Sequence, residues 1–210
     1  MKNFRILYIY GWNSSPQSET FKTLQELLPQ HNLISIPYDQ TNPPEAINFF
    51  NNYYIPNSKI NLVVGSSFGG FIASHIKHSI FKILINPCLQ PSTEIPKLNK
   101  IPNNLLEEYK RLESLKKADD EETHFTHAFF STHDELFSHK ELYLALGYHH
   151  FTDLPNEKHR LTKTGLEEVA NRIKVHPDQA YFVGTNKASA QAHQGNDSPS
   201  RRVAMSLLAS

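Results

Sequence analysis

The feature that most constrains the fold of this chain is a short apolar segment, residues 60–65, that runs directly into a glycine-rich turn. The turn reads Gly65-x-Ser67-x-Gly69, and a helical pattern begins after it. Flanking glycines relieve the crowding of a sharp strand-to-helix turn that exposes its serine at the C-terminal edge of a sheet. Ligands of open α/β sheets bind at that edge. We therefore predict that Ser67 is a nucleophile. The alternative is a glycine-rich turn with an idle serine.

Apolar segments of the same kind recur along the chain and alternate with helical patterns. The predicted strands cover residues 4–10, 33–38, 60–65, 81–86 and 126–131. The predicted helices cover residues 44–51, the stretch after Ser67, and residues 104–117. Buried parallel strands that are covered by helices on both faces have this composition. The alternation therefore predicts an α/β fold with a mostly parallel sheet.

Two further helices are predicted from their start signals. Ser15 is the expected N-cap of the first helix, with Pro16 in its first turn. The last helix is expected to start near Thr164, whose spacing to Glu167 suggests a capping box. Both helices would carry apolar residues on one face, which is the pattern of a helix that packs against a sheet.

The length of 210 residues fits one domain with a tail. We expect the domain to span residues 1–175. Residues 89–122 interrupt the alternation with a charged, proline-bearing stretch, which we expect to be either a cap over the strand ends or a solvated surface helix. Residues 176–210 are rich in small and polar residues, and we expect a flexible tail there.

The net charge, the single cysteine and the short apolar runs limit which partners and compartments we expect for this chain. The 21 basic and 21 acidic residues cancel, which argues against a nucleic-acid binder and against electrostatic attraction to a membrane. The single cysteine, Cys88, excludes an intramolecular disulfide and a cysteine-rich zinc site, and it fits a reducing compartment. No apolar run is long enough for a membrane helix, and the N-terminal run is too short for a signal peptide. We expect a cytoplasmic protein.

A serine nucleophile needs a general base and an acid that orients it, and α/β-hydrolases carry them in the order serine, acid, histidine. Asp134 follows directly after a predicted strand, and the neighbouring Glu135 is the alternative acid. His159 lies in a loop before the last helix, where the base of this arrangement belongs. His150 is the reserve, although residues 148–151 have the pattern of a last strand, where a histidine is usually structural.

The oxyanion of an acyl-transfer reaction needs two backbone N–H donors. Phe68, directly after the serine, would supply one. Trp12, in the loop after the first strand, would supply the other, because Gly11 lets that backbone approach closely. His124 and His127 have a spacing that occurs in metal sites, but no compact carboxylate–histidine motif accompanies them. We therefore predict no metal and no organic cofactor.

Three sequence blocks carry a resemblance to a known family. They are residues 7–16 (LYIYGWNSSP), residues 64–70 (VGSSFGG) and residues 85–87 (INP). Over residues 4–175 the chain resembles the YqiA/YcfP-type esterases of the α/β-hydrolase superfamily. The resemblance implies a compact α/β-hydrolase fold and a bacterial-type cytoplasmic serine hydrolase. It carries the nucleophile onto Ser67, the acid onto Asp134 and the base onto His159. The family usually has His-Gly in the oxyanion loop, where this chain has Tyr10-Gly11.

Three functional hypotheses follow. The first is a serine hydrolase that cleaves small-molecule carboxylic esters through an acyl-enzyme intermediate. The second is an acyl-CoA thioesterase. The third is a hydrolase-like binding protein with little activity, for which Tyr10 is the only support. The sequence predicts no oligomeric state.

Overall fold

The computed structural model describes residues 3–175, which form an α/β fold around a six-stranded parallel sheet. The strand order is β2-β1-β3-β4-β5-β6. The strands are β1 (Arg5–Ile9), β2 (Asn32–Ile34), β3 (Leu62–Ser66), β4 (Phe81–Ile85), β5 (Thr126–Ser131) and β6 (Phe151–Leu154). The predicted fold class is confirmed.

Helices connect consecutive strands. They are α1 (Glu19–Leu27), α2 (Pro43–Phe49), a π-helical turn (Phe50–Tyr54), α3 (Ile55–Ser58), α4 (Phe68–Ser74), α5 (Pro91–Leu98), α6 (Asn103–Leu115), α7 (Asp120–Phe125), α8 (Lys140–Ala145) and α9 (Lys163–Lys174). Among the described residues, no helix is long and apolar enough to cross a membrane.

The sheet separates two apolar layers, and β1 supplies both. Leu7 and Ile9 belong to the layer that contains residues of α4 and α6. Ile6 and Tyr8 belong to the layer that contains residues of α1 and α9. Successive strand residues point to opposite faces, so a strand that is apolar on both faces lies in the middle of the molecule.

The order of the strands reverses beside β1, whose neighbours are β2 on one side and β3 on the other. The register pairs Ile9 with Gly65, so the loops after β1 and β3 leave the sheet at the same edge. This is a topological switch point, where a crevice opens outside the carboxyl ends of the strands. The two loops predicted to contain Trp12 and Ser67 therefore meet there.

The predicted start of the first helix is wrong, whereas the last helix begins at Lys163, beside the expected Thr164, but with a different capping residue. Residues 15–18 form a turn in which the Ser18 backbone N–H donates to the Ser15 carbonyl oxygen at 3.1 Å. The helix begins only after that turn, with Ser18 as the N-cap. Near the C-terminal helix, the Thr162 hydroxyl accepts from the Gly165 backbone N–H at 3.4 Å, so Thr162 takes the capping position expected for Thr164.

The segment 89–122 contains α5, α6 and the start of α7, where the sequence predicted one helix. The apolar side of α6 buries Leu105, Tyr109 and Leu112, whereas Leu115, the last residue of the helix, is 67% exposed. The Tyr109 ring packs edge-on against Phe68, with ring centres 5.7 Å apart. Thus α6 packs on α4, and α5 is the part of the segment that reaches the cleft described below. The expected tail, residues 176–210, lies outside the described residues.

Candidate active site

Ser67 lies at the tip of the turn between β3 and α4 with a left-handed backbone (φ 54°, ψ −121°). Its N–H donates to the Ile85 carbonyl at 2.9 Å, and its carbonyl accepts from Gly70 at 2.8 Å and Cys88 at 3.0 Å. A Cβ on Gly69 would lie 2.0 Å from the Ile9 carbonyl oxygen. The turn therefore requires glycine because α4 starts directly against β1, and the surrounding hydrogen bonds hold the strained serine in place.

The structure brings together three of the predicted site residues. His159 Nε2 lies 2.9 Å from Ser67 Oγ, and His159 Nδ1 lies 2.8 Å from Asp134 Oδ2. A carboxylate only accepts hydrogen bonds, so Nδ1 carries the proton and Nε2 is free to accept from the serine hydroxyl. The side chains of His159 and Asp134 are only 12% and 5% exposed, which strengthens both interactions relative to water.

Residues 134–137 hold both the carboxylate and the imidazole. Asp134 Oδ1 accepts from the backbone N–H groups of Leu136 at 2.9 Å and Phe137 at 3.1 Å. The Phe137 ring packs edge-on against the imidazole of His159, at 4.6 Å between centres. Asp134 therefore orients the histidine through one oxygen while its own loop fixes the other.

Glu135 and His150, the two alternative residues, have other contacts. The Glu135 carboxylate accepts from the backbone N–H of His159 at 3.0 Å, and this hydrogen bond lowers the pKa of that carboxyl. Glu135 thus supports the histidine loop. His150 precedes β6, and its carbonyl accepts from Ala128 in the middle of β5. It therefore lies away from the end of β5 that leads to Asp134.

The loop after β1 lies directly against the serine. A Cβ on Gly11 would be 3.0 Å from Ser67 Cβ. Gln40 braces this loop by donating to the Gly11 carbonyl at 2.6 Å and accepting from the Asn13 N–H at 2.9 Å. The Trp12 indole donates to Asn99 Oδ1 at 3.2 Å. Trp12 and Phe68, the two predicted oxyanion donors, therefore flank the serine on the β1 loop and at the first position of α4.

Tyr10, the departure from the family pattern, packs into the core. It is 4% exposed, and its ring centre lies 4.8 Å from that of Tyr38. The Tyr38 hydroxyl donates to the Tyr10 carbonyl at 2.7 Å, and the Tyr10 hydroxyl accepts from the Tyr38 N–H at 3.2 Å. These contacts link the start of the β1 loop to the segment after β2.

A cleft of about 530 Å³ opens beside the serine and the histidine. Its lining includes the apolar side chains of Trp12, Ile95, Leu98, Leu136 and Phe137. Other lining residues carry hydroxyl groups, namely Tyr8, Ser14, Ser15, Ser18 and Thr20. Burial raises the pKa of the Tyr8 phenol, so this group remains a neutral hydroxyl. The cleft thus has room for a small molecule with an apolar part and a polar part.

Two buried polar residues near the site were not found from the sequence. Glu157 is 7% exposed, and its carboxylate accepts from the backbone N–H of Thr162 at 2.8 Å, which closes the loop that carries His159. Asn86 is 3% exposed and contacts the same loop. Asn86 belongs to the third sequence block of the resemblance, but nothing in that block indicated a role for its side chain.

The cysteine and the remaining histidines offer no competing centre. Cys88 is fully buried, and burial raises the pKa of its thiol far above the ordinary value. A buried thiol of that kind is a poor nucleophile. Within residues 3–175, no group of three or more His, Cys, Asp or Glu side chains could hold a metal ion.

Comparisons with known proteins agree with this architecture. The model of a family described as "Uncharacterised protein family (UPF0227)" matches residues 5–174. A search of curated protein sequences found no match. Among solved structures, Est1E from Butyrivibrio proteoclasticus is similar with a TM-score of 0.62 at 13% identity, over 85% of this chain and 89% of that chain.

Two further structures have the same fold. The esterase domain of a Rhodothermus marinus protein has a TM-score of 0.53 at 15% identity, over 85% of this chain and 86% of that chain. An α/β-superfamily hydrolase from Oenococcus oeni PSU-1 has a TM-score of 0.53 at 14% identity, over 83% and 91% of the two chains. At these identities the likeness shows a shared α/β-hydrolase fold.

Proposed function

The chain belongs to the YqiA/YcfP family (UPF0227), and from this premise we propose that it is a serine hydrolase that cleaves small-molecule carboxylic esters. The observation that carries the proposal is the unbroken chain of hydrogen bonds from Asp134 through His159 to Ser67, at 2.8 and 2.9 Å. The same arrangement of serine, histidine and aspartate performs acyl transfer on several unrelated folds. The assignment is therefore supported by the geometry of the three side chains and does not depend on the fold.

In the proposed reaction, Ser67 Oγ attacks the ester carbonyl carbon while its proton passes to His159 Nε2. Asp134 stabilises the imidazolium that forms. The backbone N–H groups of Phe68 and Trp12 donate to the oxyanion of the tetrahedral intermediate. His159 then protonates the departing alcohol, which leaves an acyl group on Ser67.

Deacylation runs the same steps with water. His159 Nε2 accepts a proton from the attacking water, the second tetrahedral intermediate collapses, and the proton returns to Ser67 Oγ as the carboxylic acid leaves. The residues of this cycle supply every proton transfer, so the proposed reaction needs no cofactor.

The cleft supports a substrate with an apolar group of moderate size. Leu98 and Leu136 line it with 46% and 39% of their surfaces exposed, so an apolar group bound there would cover apolar surface that water otherwise contacts. Est1E, which has the same fold, has been solved with ferulic acid bound. Esters of aromatic acids such as ferulic acid therefore belong beside esters of straight-chain acids in the substrate panel.

A fluorophosphonate probe tests the nucleophile directly. We expect one probe per chain by intact mass, no labelling of Ser67→Ala, and continued labelling of Ser66→Ala, the neighbouring hydroxyl. His159→Ala and Asp134→Asn should be labelled at least about 100-fold more slowly. If wild-type protein is not labelled while a known serine esterase is, the chain is a binding protein with this fold and the proposal fails.

A substrate panel separates the two hydrolase hypotheses. Nitrophenyl acetate, butyrate and hexanoate, a feruloyl ester and acyl-CoAs of matching chain length should be compared by kcat/KM. The proposal expects the oxygen esters to be hydrolysed with the higher kcat/KM. A consistent preference for acyl-CoA would instead identify a thioesterase that uses the same three residues.

A further inference from the structure

Asn86 follows β4 directly and lies where the loops of the three site residues converge. It is 3% exposed and adopts a left-handed backbone (φ 41°), a conformation in which asparagine is enriched. Its backbone N–H donates to the Phe129 carbonyl at 2.9 Å, which continues the pairing of β4 with β5. The preceding residue, Ile85, accepts from the N–H of Ser67. The backbone of Asn86 is therefore held at the end of β4, the strand that also supports the serine turn, and this fixes where its side chain begins.

The carboxamide of Asn86 joins two loops. Its Nδ2 donates to the His159 carbonyl at 2.9 Å and to Ser131 Oγ at 2.8 Å. Its Oδ1 accepts from the Ser131 N–H at 2.8 Å. Ser131 ends β5 and leads into the loop that contains Asp134. One amide therefore fixes the origin of the Asp134 loop and the backbone of His159 itself.

We propose that Asn86 is a positioning residue for the reaction proposed above, on which this inference rests: it sets the places of His159 and Asp134 relative to Ser67. The side-chain chemistry at this position is specific. The site needs two N–H donors and one acceptor in a single short side chain, and only asparagine offers them at this length. Asn86 acts through the backbone of His159 and through Ser131.

The cost of losing this amide should appear in turnover. An unpaired carbonyl of His159 would move toward water or toward another donor, and the imidazole would move with it. A shift of about 1 Å in a group of this kind can cost about 100-fold in rate. Substrate binding in the cleft depends on other residues, so KM should change little.

Two substitutions distinguish the effect of the side-chain hydrogen bonds of Asn86 from the effect of its backbone conformation. Asn86→Asp keeps the acceptor for Ser131 N–H but replaces the donor with an oxygen that faces the His159 carbonyl. Asn86→Gly removes the side chain and tolerates the left-handed φ. We expect both to lower kcat and the rate of fluorophosphonate labelling by about 100-fold, with KM within about threefold of wild type.

Asn51 provides a matched control. It also joins two backbone groups, donating to the His75 carbonyl at 3.0 Å and accepting from the Lys77 N–H at 2.8 Å, but it lies beyond the far end of α4. Asn51→Asp makes the same chemical change and should leave kcat within about twofold of wild type at a temperature where it is folded.

Proton NMR gives an independent readout. The strongly downfield signal of the His159–Asp134 hydrogen bond should be present in wild type and Asn51→Asp, and it should broaden or disappear in both Asn86 variants. A purely structural role for Asn86 would lower the unfolding temperature and leave this signal and kcat unchanged in the folded protein.

The outcomes are distinguishable. If wild-type protein neither labels nor hydrolyses esters, the proposed function fails and this inference fails with it. If wild type is active and a folded Asn86 variant keeps wild-type kcat, only the positioning role is overturned. Should neither Asn86 variant fold, Asn86→Ser decides: a single hydroxyl cannot pair with both the His159 carbonyl and Ser131, so unchanged kcat and NMR signal in that variant would overturn the role.

Discussion

At the scale of single residues, the site depends on how closely the backbone can approach Ser67. Gly11 and Gly69 both lie beside the turn, but an added Cβ would meet different obstacles. On Gly69 it would lie 2.0 Å from the Ile9 carbonyl oxygen, whereas on Gly11 it would lie 3.0 Å from Ser67 Cβ and 3.5 Å from Ser67 Oγ. The first contact involves the main chain of β1, and the second involves the proposed nucleophile.

This difference predicts two separable phenotypes. Gly69→Ala forces α4 away from β1, and we expect it to lower the free energy of unfolding by about 3 kcal/mol or more. Gly11→Ala displaces the serine by a few tenths of an ångström, and we expect kcat/KM to fall about tenfold or more with a small change in unfolding temperature. Thermal unfolding and nitrophenyl ester hydrolysis measure both. Full activity in Gly11→Ala would show that the β1 loop does not press on Ser67.

At the scale of the elements, strands were more predictable than helix ends. Residues 126–131 were predicted as a strand and form β5 over the same range. A short apolar run of this length favours a buried strand over a helix, which usually needs ten or more residues. The strand at residues 33–38 is shorter than predicted: β2 is Asn32–Ile34, at the edge of the sheet. An edge strand pairs on one side only, so apolar residues beyond its last partner need not continue it.

The start of α1 shows why local signals can mislead. Ser15 and Pro16 have the composition of a helix start, but the same residues also suit a turn, and tertiary contacts select between the two. Asn86 shows a different limit. The positioning role that we propose for it depends on hydrogen bonds to Ser131 and His159, which are 45 and 73 residues away in sequence. No local sequence pattern contains such distant partners. The glycines around Ser67, in contrast, lie within two residues of it, so the sharp turn can be predicted from the local sequence.

The α5 helix gives a prediction about specificity. Leu98, at its C-terminal end, is 46% exposed and lines the cleft, whereas Leu115 of α6 is 67% exposed and does not line it. We expect Leu98→Ser to raise KM for a nitrophenyl hexanoate about tenfold and to leave KM for the acetate unchanged, because only the longer chain reaches this residue.

Leu115→Ser makes the same chemical change outside the cleft and should alter neither constant. Both variants replace half-exposed or exposed side chains, so their unfolding temperatures should remain close to that of wild type. An equal rise in KM for both esters in Leu98→Ser would show that Leu98 affects the site as a whole and does not contact the acyl chain.

At the scale of the whole molecule, buried histidines make stability depend on pH. Burial is the largest cause that lowers the pKa of His127, to about 3, and the positive charges of Arg172 and His150 add to it. An unfolded histidine binds a proton below about pH 6.5. Between these values the unfolded chain therefore binds more protons, and stability falls as the pH falls from about 6.5 to about 3.

The expected slope from His127 alone is roughly 1.4 kcal/mol per pH unit. In the folded protein His127 Nε2 lies 2.9 Å from Thr152 Oγ1, and glutamine can donate to the same oxygen. Urea unfolding of His127→Gln between pH 4 and 7 should therefore show a shallower loss of stability than wild type. Parallel curves for the two proteins would show that His127 does not resist protonation.

The C-terminal boundary of the folded domain can be proposed from where α9 ends. The family model ends at residue 174, and α9 ends at Lys174. The apolar side of α9 is buried within the described residues, at Leu166, Val169, Ala170 and Ile173. We therefore propose that the hydrolase domain is complete at residue 175, as the sequence predicts.

A chain that ends at Val175 should keep the fluorophosphonate labelling rate of the full chain and its free energy of unfolding to within about 0.5 kcal/mol. A chain that ends at Thr162 is the control. It lacks α9, so the apolar residues that Leu166 and Val169 cover become exposed, and this shorter chain should not fold cooperatively. If the chain ending at Val175 lost labelling or unfolded at markedly lower urea, residues 176–210 would be part of the catalytic unit. Because α9 already buries its apolar side, we expect the two longer chains to behave alike.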